Sequence, residues 1–266
     1  MLSICTKFKT TRMKSIWKGA IGFGLVNIPV KLFSAVQNSN LDLDMLDGKD
    51  LSRIKYHRVN ERSGKEVPYD RIVKGFLLKD SYVILEDEDF ASALPEKNKL
   101  IELESFVDIG DINPIYYETS YYTQPEPQGK KAYALLLKAL QKSKKAGLAR
   151  FVLRSNENLC VIHPLDNMLV VTKIRFQEEI RSPKDLEIDT PAVKPKELEV
   201  GMALIKQYEA DFDISAFKDE YSKELMKIIK AKAKGKKVVV KKMQPEKRVS
   251  DDLYDQLMQS LNKKGA

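Results

Sequence analysis

The cations of this sequence are the residues whose spacing points most directly to chemistry. The run "SRIKYHRVNER" sets Arg53, Lys55, Arg58 and Arg62 along one short segment, and "ARFVLRSN" sets Arg150 and Arg154 along another. Such rows suit a phosphate backbone, because phosphate contact needs only positive donors on a rigid frame and carries no base-edge code. On a strand, Arg53 and Lys55 share a face, as do Arg150 and Arg154, because side chains alternate along an extended chain. Lys18 and Lys31 bracket an uncharged stretch, and Lys234, Lys236, Lys237, Lys241 and Lys242 crowd a short segment near the end.

Other chemistries find less support. His57 and His163 have no companions at metal-ligand spacing, and His163, followed by Pro164, reads as a strand-end residue. The acidic run "EDEDF", Glu86 to Phe90, lacks the oxygen-ligand spacing of a calcium loop and reads as a solvated turn. Walker, kinase and nucleophile-elbow patterns are absent, so no residue is assigned a catalytic or metal role. "GFGLVN" offers two glycines of a dinucleotide loop but puts Asn27 at the third position and Pro29 where a helix should follow. The tyrosines of "IYYETSYYTQP", Tyr116, Tyr117, Tyr121 and Tyr122, offer base-stacking platforms, yet few cations accompany them, which favours packing.

The net charge is +8 over 266 residues, and it is unevenly spread. Lys223 to Arg248 carries +9 and Lys130 to Arg154 carries +8, so the remainder is acidic by −9. Two concentrated basic patches in an acidic background favour an anionic partner. Cys5 and Cys160 are the only cysteines, too few for a disulfide framework, which fits a reducing compartment. The uncharged stretch between Lys18 and Lys31 is 12 residues long, short of the roughly 20 that a membrane helix needs, so no membrane partner is expected.

The elements that must position these cations are mostly strands. "KSIWKGAIGFGLVNIPVKLFSAV" reads as two strands joined by a bend, with Gly22 and Gly24 where strands curl or approach closely. Short strands separated by turn signals continue to about Arg181, and "ARFVLR" with "LCVIH" reads as a hairpin ended by Pro164, followed by the strand "MLVVTKIRF". One helix interrupts them: "KKAYALLLKALQKSKKAG" aligns Ala132, Leu135, Leu136, Ala139 and Leu140, with Gly147 as its stop. "SPKDLEIDTPAVKPK" reads as a linker, and the helical segments beyond it include one whose stripe runs through Phe217, Tyr221, Leu225, Ile228 and Ile229. A flexible basic strap and a short amphipathic helix with Ser250 as N-cap close the chain.

"IWKGAIGFGLVNIPVKLFSA" resembles the opening signature of the bacterial Ku family, the DNA-end-binding proteins of non-homologous end joining. Further matches follow in order: "RIKYHRV", "GKEVPYDRIVKGF", "YVILEDEDF", "DINPIYYETSYYTQP" and "KPKELEVGMALIKQY". The resemblance implies an α+β fold, a β-barrel core with a bridge hairpin and packed helices, followed by a helical C-terminal arm and a flexible basic tail. The expected division is a disordered leader over 1–12, or a true start at Met13; a core over 13–181; a linker over 182–196; an arm over 197–231; and a tail over 232–266.

The resemblance further implies a ring-shaped homodimer that threads onto double-stranded DNA ends, protects them and recruits an ATP-dependent DNA ligase. It implies no enzymatic activity and no cofactor, and a cytoplasmic, nucleoid-associated location. By the same resemblance Arg53, Lys55, Arg58 and Arg62 lie on the bridge around the duplex, and Arg150 and Arg154 on a strand against its backbone. Some Ku relatives carry a cysteine where this chain has Asn60, so a metal or redox role there is not carried over. The rivals are a single-stranded nucleic-acid or RNA-binding barrel, and a nucleotide-dependent enzyme built on "GFGLVN".

Overall fold

The computed structural model describes residues 13–93, 99–154, 156–236 and 253–263. The chain forms two compact units, Met1–Asn38 with Asp44–Ser182, and Ser39–Leu43 with Pro183–Ala266. The leader, Cys5, Lys237, Lys241, Lys242 and the Ser250 cap lie outside the described residues.

The first unit is built on a closed barrel of seven strands. Strands β1 (Trp17–Phe23) and β2 (Val26–Ser34) are the expected pair, antiparallel with Ile21 opposite Ile28. Gly24 at the bend has φ +59°, a left-handed conformation that glycine adopts without steric cost. That bend joins strand to strand, so "GFGLVN" is a hairpin turn and not a phosphate loop opening a helix. At Gly19 a Cβ would fall 2.3 Å from the Lys99 carbonyl, a close approach that admits no side chain.

Two further strands, β3 (Lys74–Leu78) and β4 (Ser81–Leu85), form a separate antiparallel ribbon, and the short helix α1 (Asp87–Ala93) follows. The run "EDEDF" is therefore not simply a solvated turn. Asp87, Glu88 and Asp89 open α1, where carboxylates meet the positive end of the helix dipole, and the Asp89 carboxylate accepts from the Glu86 amide at 2.8 Å.

The barrel resumes with β5 (Leu100–Asp108) and β6 (Tyr117–Pro125), then helix α2 (Lys130–Ser143), then β7 (Lys145–Leu153), β8 (Asn156–Leu165) and β9 (Met168–Ile174). Around the barrel the order is β1-β2-β6-β9-β8-β7-β5, closed by a parallel β1–β5 contact. Alternation places Ile28, Val30 and Leu32 inside with Ile21, Ile101, Phe151, Ile162 and Val171. Of the four tyrosines, Tyr121 is in this core and Tyr116 and Tyr117 pack against a second cluster of Ala146, Val161 and Ile174.

Helix α2 is turned slightly from the expected stripe: Tyr133, Leu136 and Leu140 are buried, while Leu135 is 64% exposed. The reason is Tyr133, whose hydroxyl donates to Thr123 Oγ1 at 2.7 Å and accepts from the Leu169 amide at 2.7 Å. A buried hydroxyl with both roles filled fixes which face of α2 enters the core. Gly147 is not the helix stop. Lys144 ends α2 in a left-handed conformation, φ 56°, and Gly147 lies within β7, where a Cβ would meet Leu103 at 2.2 Å.

The second unit is helical. Helices α3 (Pro195–Tyr208), α4 (Glu220–Ala233) and α5 (Leu253–Lys263) fall where amphipathic segments were expected. Phe217 lies outside α4, because Asp219 caps that helix by accepting from the Ser222 amide at 2.9 Å. Helix α5 packs on α3, and the Gln207 side chain donates to the Leu261 carbonyl at 3.2 Å. Among the described residues no helix is long and apolar enough to cross a membrane.

Candidate nucleic-acid interface

Between Phe33 and Leu100 not one described residue is buried. Arg53, Lys55, Arg58 and Arg62 belong to this exposed segment, but the part that carries them is not a regular hairpin. Only two isolated bridges occur there, Leu46 with Arg53 and Val59 with Glu66. Its polar residues satisfy the backbone locally instead: Asp50 accepts from the Ser52 amide at 2.9 Å, and Asn60 from the Ser63 amide at 2.9 Å. Such side-chain turns compete with a strand ladder. A shared strand face for Arg53 and Lys55 therefore does not follow, and Asn60 is a turn residue.

Two of these cations are held in place. Arg53 reaches the Asp44 carboxylate at 2.7 Å, and Arg58 lies over the Tyr69 ring, 5.3 Å from its centroid. His57 Nδ1 stands 2.9 Å from Glu66. Exposed pairs of this kind add little stability but limit the positions a guanidinium samples. Spacing along the sequence gives no signal of Asp44 or Tyr69 as partners, because the turns between them decide the contact.

On the barrel, Lys18 and Lys31 face each other across the β1–β2 pair and line one surface groove with Phe33, Tyr122 and Gln124. Glu126 lies 3.6 Å from Lys31 and offsets part of that charge. Arg150, within β7, is bound to Glu104 at 2.7 Å and Glu157 at 3.4 Å. The hydrogen bond and charge of Glu104, and then Glu157, hold its pKa above the ordinary guanidinium value. Arg154 does not share that face, because it lies beyond β7 in the turn to β8, with φ 53°. Lys234 and Lys236 follow α4 in the second unit.

Among the described residues no group of three or more histidines, cysteines or carboxylates is disposed to hold a metal ion. Cys160 is fully buried, and burial pushes its thiol far above the ordinary value, which suits packing rather than reactivity.

Residues 22–200, from within β1 into α3, match the model of the Ku family described as the Ku70/Ku80 beta-barrel domain. The chain belongs to the Ku β-barrel family. It is 37% identical over 231 residues to the non-homologous end joining protein Ku of Archaeoglobus fulgidus, covering 86% of this chain and 91% of that protein. Against the protein of the same name from Coxiella burnetii the identity is 34% over 256 residues, covering 94% and 93%. Against that of Bacillus subtilis it is 35% over 232 residues, covering 86% and 75%. The relatives are named for end joining and not as enzymes. For the Ku fold the seven-stranded barrel is the framework, and the exposed segment between Phe33 and Leu100 is an excursion from it between β2 and β5.

Proposed function

We propose that this chain binds double-stranded DNA ends as a ring-shaped homodimer, without regard to sequence, protects them and recruits an ATP-dependent DNA ligase for end joining. The observation that carries the reading is the excursion between Phe33 and Leu100. It combines Arg53, Lys55, Arg58 and Arg62 with large apolar side chains that the monomer leaves exposed, among them Tyr56 at 80%, Tyr69 at 77% and Tyr82 at 70%. Cations suit the phosphate backbone, and exposed apolar surface suits a second copy of the chain. Membership of the Ku family, with relatives named for non-homologous end joining along most of their length, supports the same reading.

In this reading Lys18, Lys31 and Arg154 meet the backbone directly from the barrel, and Arg150, held by Glu104 and Glu157, contributes by fixing the strand end beside Arg154. Lys234, Lys236, Lys237, Lys241 and Lys242 contribute from a basic tail over 232–266 that follows a linker over 182–196 and an arm over 197–231. The protein works in the cytoplasm, associated with the nucleoid. Competition of labelled linear duplex by unlabelled linear duplex, closed circular duplex and single strands tests it. Linear duplex should compete strongly and the other two weakly; equal competition by closed circles would sink the proposal, and stronger competition by single strands would favour the single-strand rival.

A further inference from the structure

One mouth of the barrel gathers charged and amide side chains around a cavity. There the termini of four strands converge: Glu118 and Thr119 near the start of β6, Arg154 just past β7, Asn156 and Asn158 at the start of β8, and Lys173 near the end of β9. Together they border a cavity of about 400 Å³. Helix α2 packs toward the opposite strand ends, where its Tyr133 bonds Thr123 and Leu169, and does not border this cavity. Mouths of small barrels are common ligand sites because converging strand ends aim several side chains at one point.

Three features give the mouth its chemistry. The Lys173 ammonium lies 3.1 Å from Glu118 and neutralises it, so Arg154 leaves the lining with a net positive charge. No ion pair of Arg154 occurs among the described residues, whereas Arg150 holds two carboxylates. Asn158 is only 6% exposed and is locked by donating one amide hydrogen to the Asn156 carbonyl at 2.7 Å, which fixes its orientation toward the mouth. Arg154 is also held at φ 53°, a left-handed conformation that is strained for a non-glycine residue. A planar guanidinium, a fixed amide and a hydroxyl match the several oxygens of a phosphate monoester better than a carboxylate or a halide.

We infer that this mouth binds the terminal phosphate of a broken DNA strand. The inference rests on the DNA-end reading above and adds to it a preference for phosphorylated ends. A second source of the same chemistry is a free mononucleotide.

The test compares the full chain on two short blunt duplexes of one sequence, ending in phosphate or in hydroxyl, by fluorescence anisotropy. The parent should bind the phosphate-ended duplex about tenfold more tightly, the ordinary worth of one charge-assisted hydrogen bond. Arg154→Gly removes the guanidinium where the backbone suits glycine, so it should keep the fold and bring the ratio to one. Any backbone contact of Arg154 weakens both duplexes alike and cancels in that ratio. AMP and adenosine, titrated against isotope-labelled protein, report on the mouth directly through the side-chain amides of Asn156 and Asn158. AMP should shift both amides in the parent and not in R154G, while adenosine shifts neither. Equal affinity for the two duplexes overturns the DNA terminus as ligand, and amides that ignore AMP overturn the phosphate chemistry too. The DNA-end reading fails on a different comparison, linear against circular duplex, so the two failures are distinguishable.

Discussion

Arg150 and Arg154 lie close in sequence, yet they serve opposite electrostatic roles: Arg150 bonds Glu104 at 2.7 Å within the sheet, while Arg154 turns out of it at φ 53°. A cation already matched by two carboxylates offers a phosphate little net attraction. Arg150→Ala should therefore leave the salt dependence of DNA binding almost unchanged. Its cost should appear in stability, about 0.5–1 kcal/mol by urea titration, the usual worth of a part-exposed ion pair.

The excursion between β2 and β5 should behave differently. Replacing Arg53, Lys55 and Arg58 together by Ala should weaken duplex binding equally for unrelated sequences. Each lost phosphate contact lowers the slope of log K against log salt by about 0.9. An unchanged slope would mean that these three side chains do not face DNA.

Phe76, Leu77 and Tyr82 lie on the β3–β4 ribbon, where Leu77 opposes Tyr82, and all three are more than half exposed. Light scattering at micromolar concentration should give a dimer for the parent. Changing all three to Ser should remove about 5 kcal/mol of apolar burial, more than a thousandfold in the dimer dissociation constant, and give a monomer with an intact barrel spectrum. A monomeric parent defeats the homodimer.

Tyr133→Phe removes one hydroxyl that serves both Thr123 and the Leu169 amide. The amide keeps its place without an acceptor, so the variant should lose about 1–3 kcal/mol, read as a lower urea midpoint with unchanged slope.

His163 is half-buried beside Thr172, 3.1 Å from its hydroxyl, and burial lowers its pKa from the ordinary 6.5. On the acid side of that value the unfolded chain binds more protons than the folded one. Stability contributed by the neutral ring is therefore complete above 6.5 and is lost as pH falls below it. His163→Gln should flatten this part of the stability profile, measured by thermal melts across pH; a profile identical to the parent's would assign the acid sensitivity elsewhere.

Local pattern alone determined much of this protein. Alternation in "VNIPVKLF" set β2 and its inward Ile28, Val30 and Leu32, because a period of two survives in any sheet that buries one face. Ordered motifs from "IWKGAIGFG" to "KPKELEVGMALIKQY" marked the family, and the two basic patches raised the expectation of an anionic partner. Where neighbours distant in sequence choose, local pattern misled: Tyr133 turned α2 away from Leu135 through bonds to Thr123 and Leu169, and Gly147 entered a strand against Leu103. The same holds for the cations. Spacing put Arg150 and Arg154 on one face, but the hairpin ended at Leu153, and Glu104, from a strand far back in the chain, claimed the first and left the second. Composition supplies the charges, and only the closing of the barrel decides which are spent within the fold and which remain for a ligand.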